Sequence, residues 1–272
     1  MPPQSKYVDV SVIIPTYFSS ASLKRALHSV ATQALSVAEI IIIDDSGDLS
    51  EVIKIQDILK SFTYPRERVK FYFNNKNMGP SYTRNRGIEE STSKYIAFLD
   101  SDDIWHPAKI EIQYSIMEKS GSKLSGHQFD HTSNGNLDDV SNIIKTRIIK
   151  RQELLLHNPF STPTVMAIRE DFIKFPENIK FGEDYYCWIA NYSPGDFTFI
   201  KCTLAGGFKA SYGAAGLSQN ILAMSQGVKT AFCLLLREGH ISRFEYFTAL
   251  AIESMKYLNR KTVIRARKLR EK

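Results

Sequence analysis

Four short apolar runs constrain this chain more than any other feature of it. Residues 10–14 (VSVII), 39–43 (EIIII), 69–73 (VKFYF) and 94–99 (KYIAFL) are rich in β-branched and aromatic side chains. In 10–14 and 39–43 this continuity is the mark of strands buried in a sheet, and 69–73 and 94–99 read as a third and a fourth strand. Helix-period segments separate them. From about Ser22, Leu23, Leu27, Val30 and Ala34 recur at spacings of four, three and four, and residues 49–59 fit a second helix. Gly79-Pro80 opens a third, with proline suited to a first turn. His106-Pro107 starts a fourth, reaching about Ser120. Pro15 is expected to end the first strand. Strands alternating with helices predict a mostly parallel central sheet flanked by helices. In such sheets ligands bind beyond the carboxyl ends of the strands.

Composition narrows the class. With 272 residues, 43% hydrophobic and 24% charged, the chain can bury a real core, in one large domain or two small ones. No apolar run approaches the ~18–20 residues that cross a bilayer. The opening MPPQSKYVDV lacks the apolar stretch of a signal peptide. Cys187, Cys202 and Cys233 are far apart and odd in number. They suggest neither a disulfide framework nor a zinc site, and they suit a reducing cytosol. The net charge of +6 is local: residues 256–272 carry +7, and the other 255 residues carry −1. A nucleic-acid reader would usually spread basic charge over its folded surface, so nucleic acid is not expected as a partner.

The second half is less regular. Residues 121–150 read as loop with short strands, and Pro159, Pro163, Pro176 and Pro194 punctuate the stretch beyond them. From about Gln219 the chain turns helical, and Gly239 ends one helix. Ser242 and Glu245 form a capping box for another, whose apolar face is Phe244, Phe247, Leu250, Ala251 and Met255. No internal repeat is visible.

Two acidic loops come directly after strands. Asp100-Ser101-Asp102-Asp103 sets three carboxylates within four residues, which repel one another unless a cation sits among them. Hard oxygen ligands suit Mg²⁺ or Mn²⁺, although a helix cap accounts for such a cluster about as well. Asp44-Asp45-Ser46-Gly47 could accept hydrogen bonds from a ribose or a base edge, or form an Asx turn. No strand leads into Gly-x-Gly-x-x-Gly or a Walker A sequence, which disfavours a dinucleotide site. The histidines show no ligand spacing. His127 and His131 are four apart, but their Gly, Asp, Thr and Ser neighbours read as loop.

Taken together, VSVIIPTY, EIIIIDDSGD, NKNMGPSYTRNRGI and YIAFLDSDDIW resemble a family 2 inverting glycosyltransferase of the GT-A fold, over about residues 9–120. The resemblance implies a nucleotide-diphospho-sugar transferase in residues 1–218. Residues 9–120 would be its nucleotide-sugar-binding half and 121–218 its acceptor half. Residues 219–272 would be a helical C-terminal extension with a basic tail. It implies nucleotide-sugar contacts at Pro15, Thr16, Tyr17, Asp45, Arg84, Asp100 and Ser101, and a Mn²⁺ or Mg²⁺ ion at Asp102. Phe181-Gly182-Glu183-Asp184 resembles the family's Glu-Asp motif, with Asp184 in the position of the catalytic base. Glu183 and Asp184 could instead only complement a helix N-terminus. Candidate acceptor or phosphate contacts are Asp103, Trp105, Glu183, Trp188, Lys209 and Tyr212, and Tyr185 could also stack on a sugar. Many relatives carry a histidine after the Glu-Asp motif; here none occurs between Asp184 and His240.

The expected activity is transfer of a sugar from a nucleotide-diphosphate donor, uridine-linked, to a glycan with inversion. The acceptor would be lipid-linked and the product a bacterial surface polysaccharide. The enzyme would be cytoplasmic and peripheral on the inner membrane face, held to anionic lipid by its basic tail. Two alternatives stand beside it: a sugar-nucleotide nucleotidyltransferase, which would need a Gly-rich phosphate loop and a positioned Lys after the first strand, and a non-catalytic glycan-binding or scaffold protein on the same fold.

Overall fold

A computed structural model describes residues 7–131, 137, 140, 144–208 and 220–270, with side chains as far as Thr262. Lys209 and Tyr212 therefore lie outside the described residues, as do the side chains of most of the basic tail.

Among the described residues, nine strands form one sheet. Its first half comes from β1 (Tyr7–Thr16), β2 (Ser36–Asp44), β3 (Val69–Phe73) and β4 (Tyr95–Phe98), all parallel, in the order β3-β2-β1-β4. Ile13 pairs with Ile41 on one side and with Phe98 on the other, and all three are fully buried. Pro15 does not end β1 but lies inside it, opposite Ile43. The ladder from β1 to β4 stops at Ile13, so the N–H that proline lacks is not called for.

Helices α1 (Ser20–Ala31), α2 (Leu49–Lys60), α3 (Pro80–Glu90) and α4 (Lys109–Ser120) connect these strands and follow β5 (Ile104–Trp105). Leu23, Ala26, Leu27 and Val30 bury the apolar stripe of α1. α4 starts later than His106-Pro107 suggests, because the His106 ring accepts a hydrogen bond from the Ala108 N–H at 3.1 Å and shapes a turn first. Gly87 brings α3 close onto the sheet: a Cβ there would collide with the Ile13 side chain.

The second half of the sheet is mixed. It contains β6 (Leu124–Asp130), β7 (Thr146–Ile148), β8 (Met166–Ile168) and β9 (Phe197–Gly206), with β8 antiparallel to both β4 and β6. His127 is thus a strand residue, not a loop residue. Gly126 allows this, because the Phe160 ring occupies the space a Cβ would need. Burial pushes the His127 imidazole down to about 3.

Beyond β7 the described residues hold four more helices: α5 (Arg151–Leu156), α6 (Glu183–Ala190), α7 (Ile221–Arg237) and α8 (Arg243–Arg270). One hydrophobic cluster runs from Ile13 and Ile41 through Phe98 and Trp188 to Ala231, Leu235 and Ala249, joining the last two helices to the sheet. The capping box of α8 is formed: the Ser242 N–H donates to Glu245 Oε2 at 2.7 Å and the Glu245 N–H to Ser242 Oγ at 3.2 Å. The apolar face of α8 is turned the other way from a core face. Phe244, Phe247 and Met255 are exposed, while Ala249 and Glu253 are buried. Among the described residues no helix is long and apolar enough to cross a membrane.

Candidate active site

The carboxyl ends of β1, β2 and β4 converge, and three polar systems meet there. The first is a chain of hydroxyls. Thr16 Oγ1 lies 2.8 Å from Ser19 Oγ, which lies 2.7 Å from Ser101 Oγ. It ties the turn after β1 to the acidic loop after β4. Ser19 is spent on this link and makes no side-chain cap for α1. Sequence reasoning missed Ser19, because Ser101 is distant along the chain and only folding brings the two together. Beside it, Tyr17 and Phe18 are both more than half exposed and stand edge to face at 4.9 Å. Phe18 has φ 46°, a left-handed backbone rare for an aromatic residue. Strain of this kind tends to collect at functional sites.

The second system is Asp45. Its carboxylate accepts from Asn74 Nδ2, the Met78 N–H and the Gly79 N–H, each at 2.8 Å. Asp45 thereby fixes the loop that leads into α3 and so sets the start of that helix. Pro15 precedes Thr16 in β1, and the Thr16 carbonyl accepts from the Asp45 N–H at 2.8 Å.

The third system joins two motifs that lie far apart in the sequence. Arg84, on α3, is buried. Its Nη2 donates to Asp100 Oδ1 at 2.9 Å and its Nη1 to Glu183 Oε1 at 3.3 Å. One guanidinium thus links the acidic loop to the first turn of α6. Next to Glu183, Asp184 accepts at Oδ2 from Asn158 Nδ2 at 2.8 Å and at Oδ1 from the Tyr185 N–H at 2.7 Å. Burial pushes both carboxyls above the ordinary carboxylate range. For Glu183 the adjacent Asp184 charge adds to this, while Arg84 opposes it for both. Carboxyls raised in this way suit proton removal near neutral pH. Sequence reasoning also missed Asn158; only the turn-forming Asn158-Pro159 pair hints at it.

Asp102 and Asp103 lie in the tight turn after Ser101, partly exposed. Among the described residues, no group of three His, Cys, Asp or Glu could hold a metal by itself. The donor set fits a magnesium- or manganese-type ion held by one or two carboxylates and completed by substrate phosphate oxygens.

The aromatic candidates are corrected. Trp188 is fully buried against Phe98 and Phe175 and cannot stack on a sugar. Trp105 is also core: its Nε1 donates to the Pro163 carbonyl at 2.8 Å, and Lys109 Nζ sits 3.7 Å from its ring centre. Tyr185 is buried edge-on against Phe232.

A cleft of about 440 Å³ opens beside this centre, lined by His127, Asp130, His131, Pro159, Ser161 and Thr203 among others. Pro159 adjoins Asn158, the partner of Asp184. At the cleft's other side the Gly207 N–H donates to the Asp130 carbonyl at 2.9 Å, and Asp103 packs against Gly207.

The model for glycosyl transferase family 2 matches residues 11–175. The chain belongs to that family. An uncharacterized glycosyltransferase of Rickettsia felis is 32% identical over 254 residues, 88% of this chain and 39% of the relative. This chain therefore spans about two fifths of that relative's length. The Escherichia coli UDP-Glc:alpha-D-GlcNAc-diphosphoundecaprenol beta-1,3-glucosyltransferase WfgD is 26% identical over 193 residues, 71% of this chain and 73% of its own. Among solved structures, a mannosyltransferase from Pyrobaculum calidifontis in complex with GDP-Man and Mn²⁺ superposes with a TM-score of 0.64. It is 13% identical and matches 91% of this chain and 69% of its own. That likeness shows the fold, a GT-A-type mixed α/β architecture with a helical C-terminal region.

Proposed function

We propose that this family member transfers a sugar from a uridine-diphosphate donor to a glycan acceptor, with inversion at the anomeric carbon. The observation that carries the reading is Arg84, whose guanidinium holds the acidic loop and the Glu183-Asp184 turn together. Donor and acceptor must meet between those two motifs. Pro15, Thr16, Tyr17 and Ser101 border the nucleotide, and Asp100 faces the ribose. Asp45 serves the same pocket by holding the loop before α3. A divalent ion bound at Asp102 would supply neutralisation of the charge that grows on the departing diphosphate. Asp184, oriented by Asn158, takes the proton from the acceptor hydroxyl as its oxygen bonds to the anomeric carbon and the carbon–phosphate oxygen bond breaks. Asp103 and the adjoining 440 Å³ cleft serve the acceptor. Its size falls within the range of small-ligand sites.

The acceptor is a lipid-linked glycan in surface polysaccharide synthesis. WfgD, whose name specifies a diphosphoundecaprenol-linked substrate, supports this, as does the +7 charge of residues 256–272. That charge attaches the protein to an anionic membrane. The test is a panel of nucleotide sugars with Mn²⁺, read by nucleotide release. Release from a uridine-diphospho-sugar and loss of release in excess chelator are expected. Release from none of the panel, or undiminished release in chelator, would contradict the reading.

A further inference from the structure

We infer that the outward face of α8 is a lipid-docking surface, which lays this helix in the interface of an anionic bilayer. The inference rests on the membrane attachment proposed above and adds an apolar anchor to it.

α8 is two-sided. One side is built into the protein: Ala249 and Glu253 are buried, Glu253 pairs with Arg260 at 2.6 Å, and Glu245 pairs with Arg151 of α5 at 2.7 Å. The other side exposes Phe244 by 81%, Phe247 by 66%, Met255 by 61% and Leu258 by 60%. With Ala251 these residues follow one another at spacings of three, four, four and three, a single line along an α-helix. Scattered exposed apolar residues need no explanation, but a contiguous line of two phenylalanines, a methionine and a leucine marks an interaction surface. The same register runs on through Lys261 to positions 265 and 268, an arginine and a lysine. An apolar row about 20 Å long thus passes directly into a basic row.

Charge decides the occupant. A second copy of the chain packed stripe to stripe in parallel would bring two basic tails together. Packed antiparallel, it would set each tail against an end where Arg237 already pairs with Glu238 at 3.7 Å and Arg243 adds a further positive charge. Neither arrangement supplies the acids that the tail's +7 calls for. An anionic bilayer satisfies both rows: apolar side chains enter the acyl boundary and basic ones meet lipid phosphates. The position is useful as well. α8 packs on α7, and α7 on α6, whose first turn carries Asp184. Two helix spacings of roughly 8–10 Å each relate the axis of α8 to that of α6, which places the lipid-facing row on the same side of the molecule as the C-terminal helices that support Asp184.

The experiment is flotation of the full chain with phosphatidylglycerol–phosphatidylcholine vesicles at low and high salt. It compares wild type, Phe244→Ser/Phe247→Ser, Met255→Ser/Leu258→Ser and Lys261→Gln/Arg265→Gln/Lys268→Gln. Both apolar pairs should lower partitioning at least about tenfold at either salt, with an unchanged thermal midpoint since the sites are exposed. The charge variant should lose mainly the salt-sensitive part. Partitioning of both apolar variants equal to wild type overturns the inference, as does a wild type that ignores vesicles. So does a stripe variant that turns a sedimenting dimer into a monomer without changing lipid binding. Transfer to a short soluble acceptor, measured alongside, should be equal in all four proteins. Its absence from wild type would count against the transferase reading and leave the flotation result standing.

Discussion

Arg84 is the residue on which the site turns. Its charge lowers the affinity of Glu183 and Asp184 for protons, against the burial that raises it. A base must be deprotonated to act, so turnover should rise with pH through a midpoint above the usual carboxylate value of about 4. Removing the guanidinium removes a charge that favours the ionised forms. Arg84→Met should therefore move that midpoint to higher pH, with activity lost near neutrality and partly recovered in alkali. A pH–rate profile checks this; an unmoved midpoint would mean that Arg84 only packs. Arg84→Lys, which keeps the charge, should shift it less. In the proposed mechanism Asn158, whose Nδ2 donates to Asp184 Oδ2 at 2.8 Å, acts through Asp184 as a positioning residue. Asn158→Ala should lower kcat with little change in nucleotide affinity, measured by steady-state kinetics beside nucleotide titration.

At the scale of elements, α3 delivers Arg84, and Gly87 decides how closely α3 lies on β1. Gly87→Ala forces a methyl against Ile13 and Ile43. Overpacking of this kind typically costs about 1–3 kcal/mol, so chemical denaturation should show a loss in that range. A stability equal to wild type would mean the helix shifts freely. β1, β2 and β4 were legible because strands covered on both faces carry few polar residues. β3 and α3 fall where VKFYF and Gly79-Pro80 place them. β6 was legible only as an unplaced short strand within 121–150. Its LSGHQFD carries a glycine because the Phe160 ring fills the space a Cβ would take, and only the folded chain shows that. The tryptophans failed for a related reason: an aromatic near a motif has the same sequence signature whether it faces a sugar or a core. The periodicity of α8 marked an apolar face correctly but could not say which way it points, since the packing side is made from Ala249 and an internally paired Glu253.

Across the whole molecule, the acidic loop after β4, the Glu183-Asp184 turn and the C-terminal helices form a succession of packed elements, from that loop through α6 and α7 to α8. Charge is separated along it, nearly balanced in the body and +7 at the end. Deleting residues beyond Thr262 should weaken binding to anionic vesicles and slow turnover on a lipid-linked acceptor, while nucleotide-sugar hydrolysis in solution survives. The cut belongs after Thr262 rather than earlier, because Arg260 neutralises the buried Glu253. A buried acid left without its partner is strongly destabilising. Equal vesicle binding by the truncated and full-length proteins at low salt would mean that the tail holds no membrane. Most direct of all is the single substitution Asp184→Asn, assayed for transfer and for nucleotide affinity in the same preparation. Loss of a general base costs about 10²–10⁴-fold, so transfer should fall by that factor with affinity nearly unchanged. A variant that keeps more than half of its transfer rate would reduce Asp184 to a helix-end residue and contradict the mechanism.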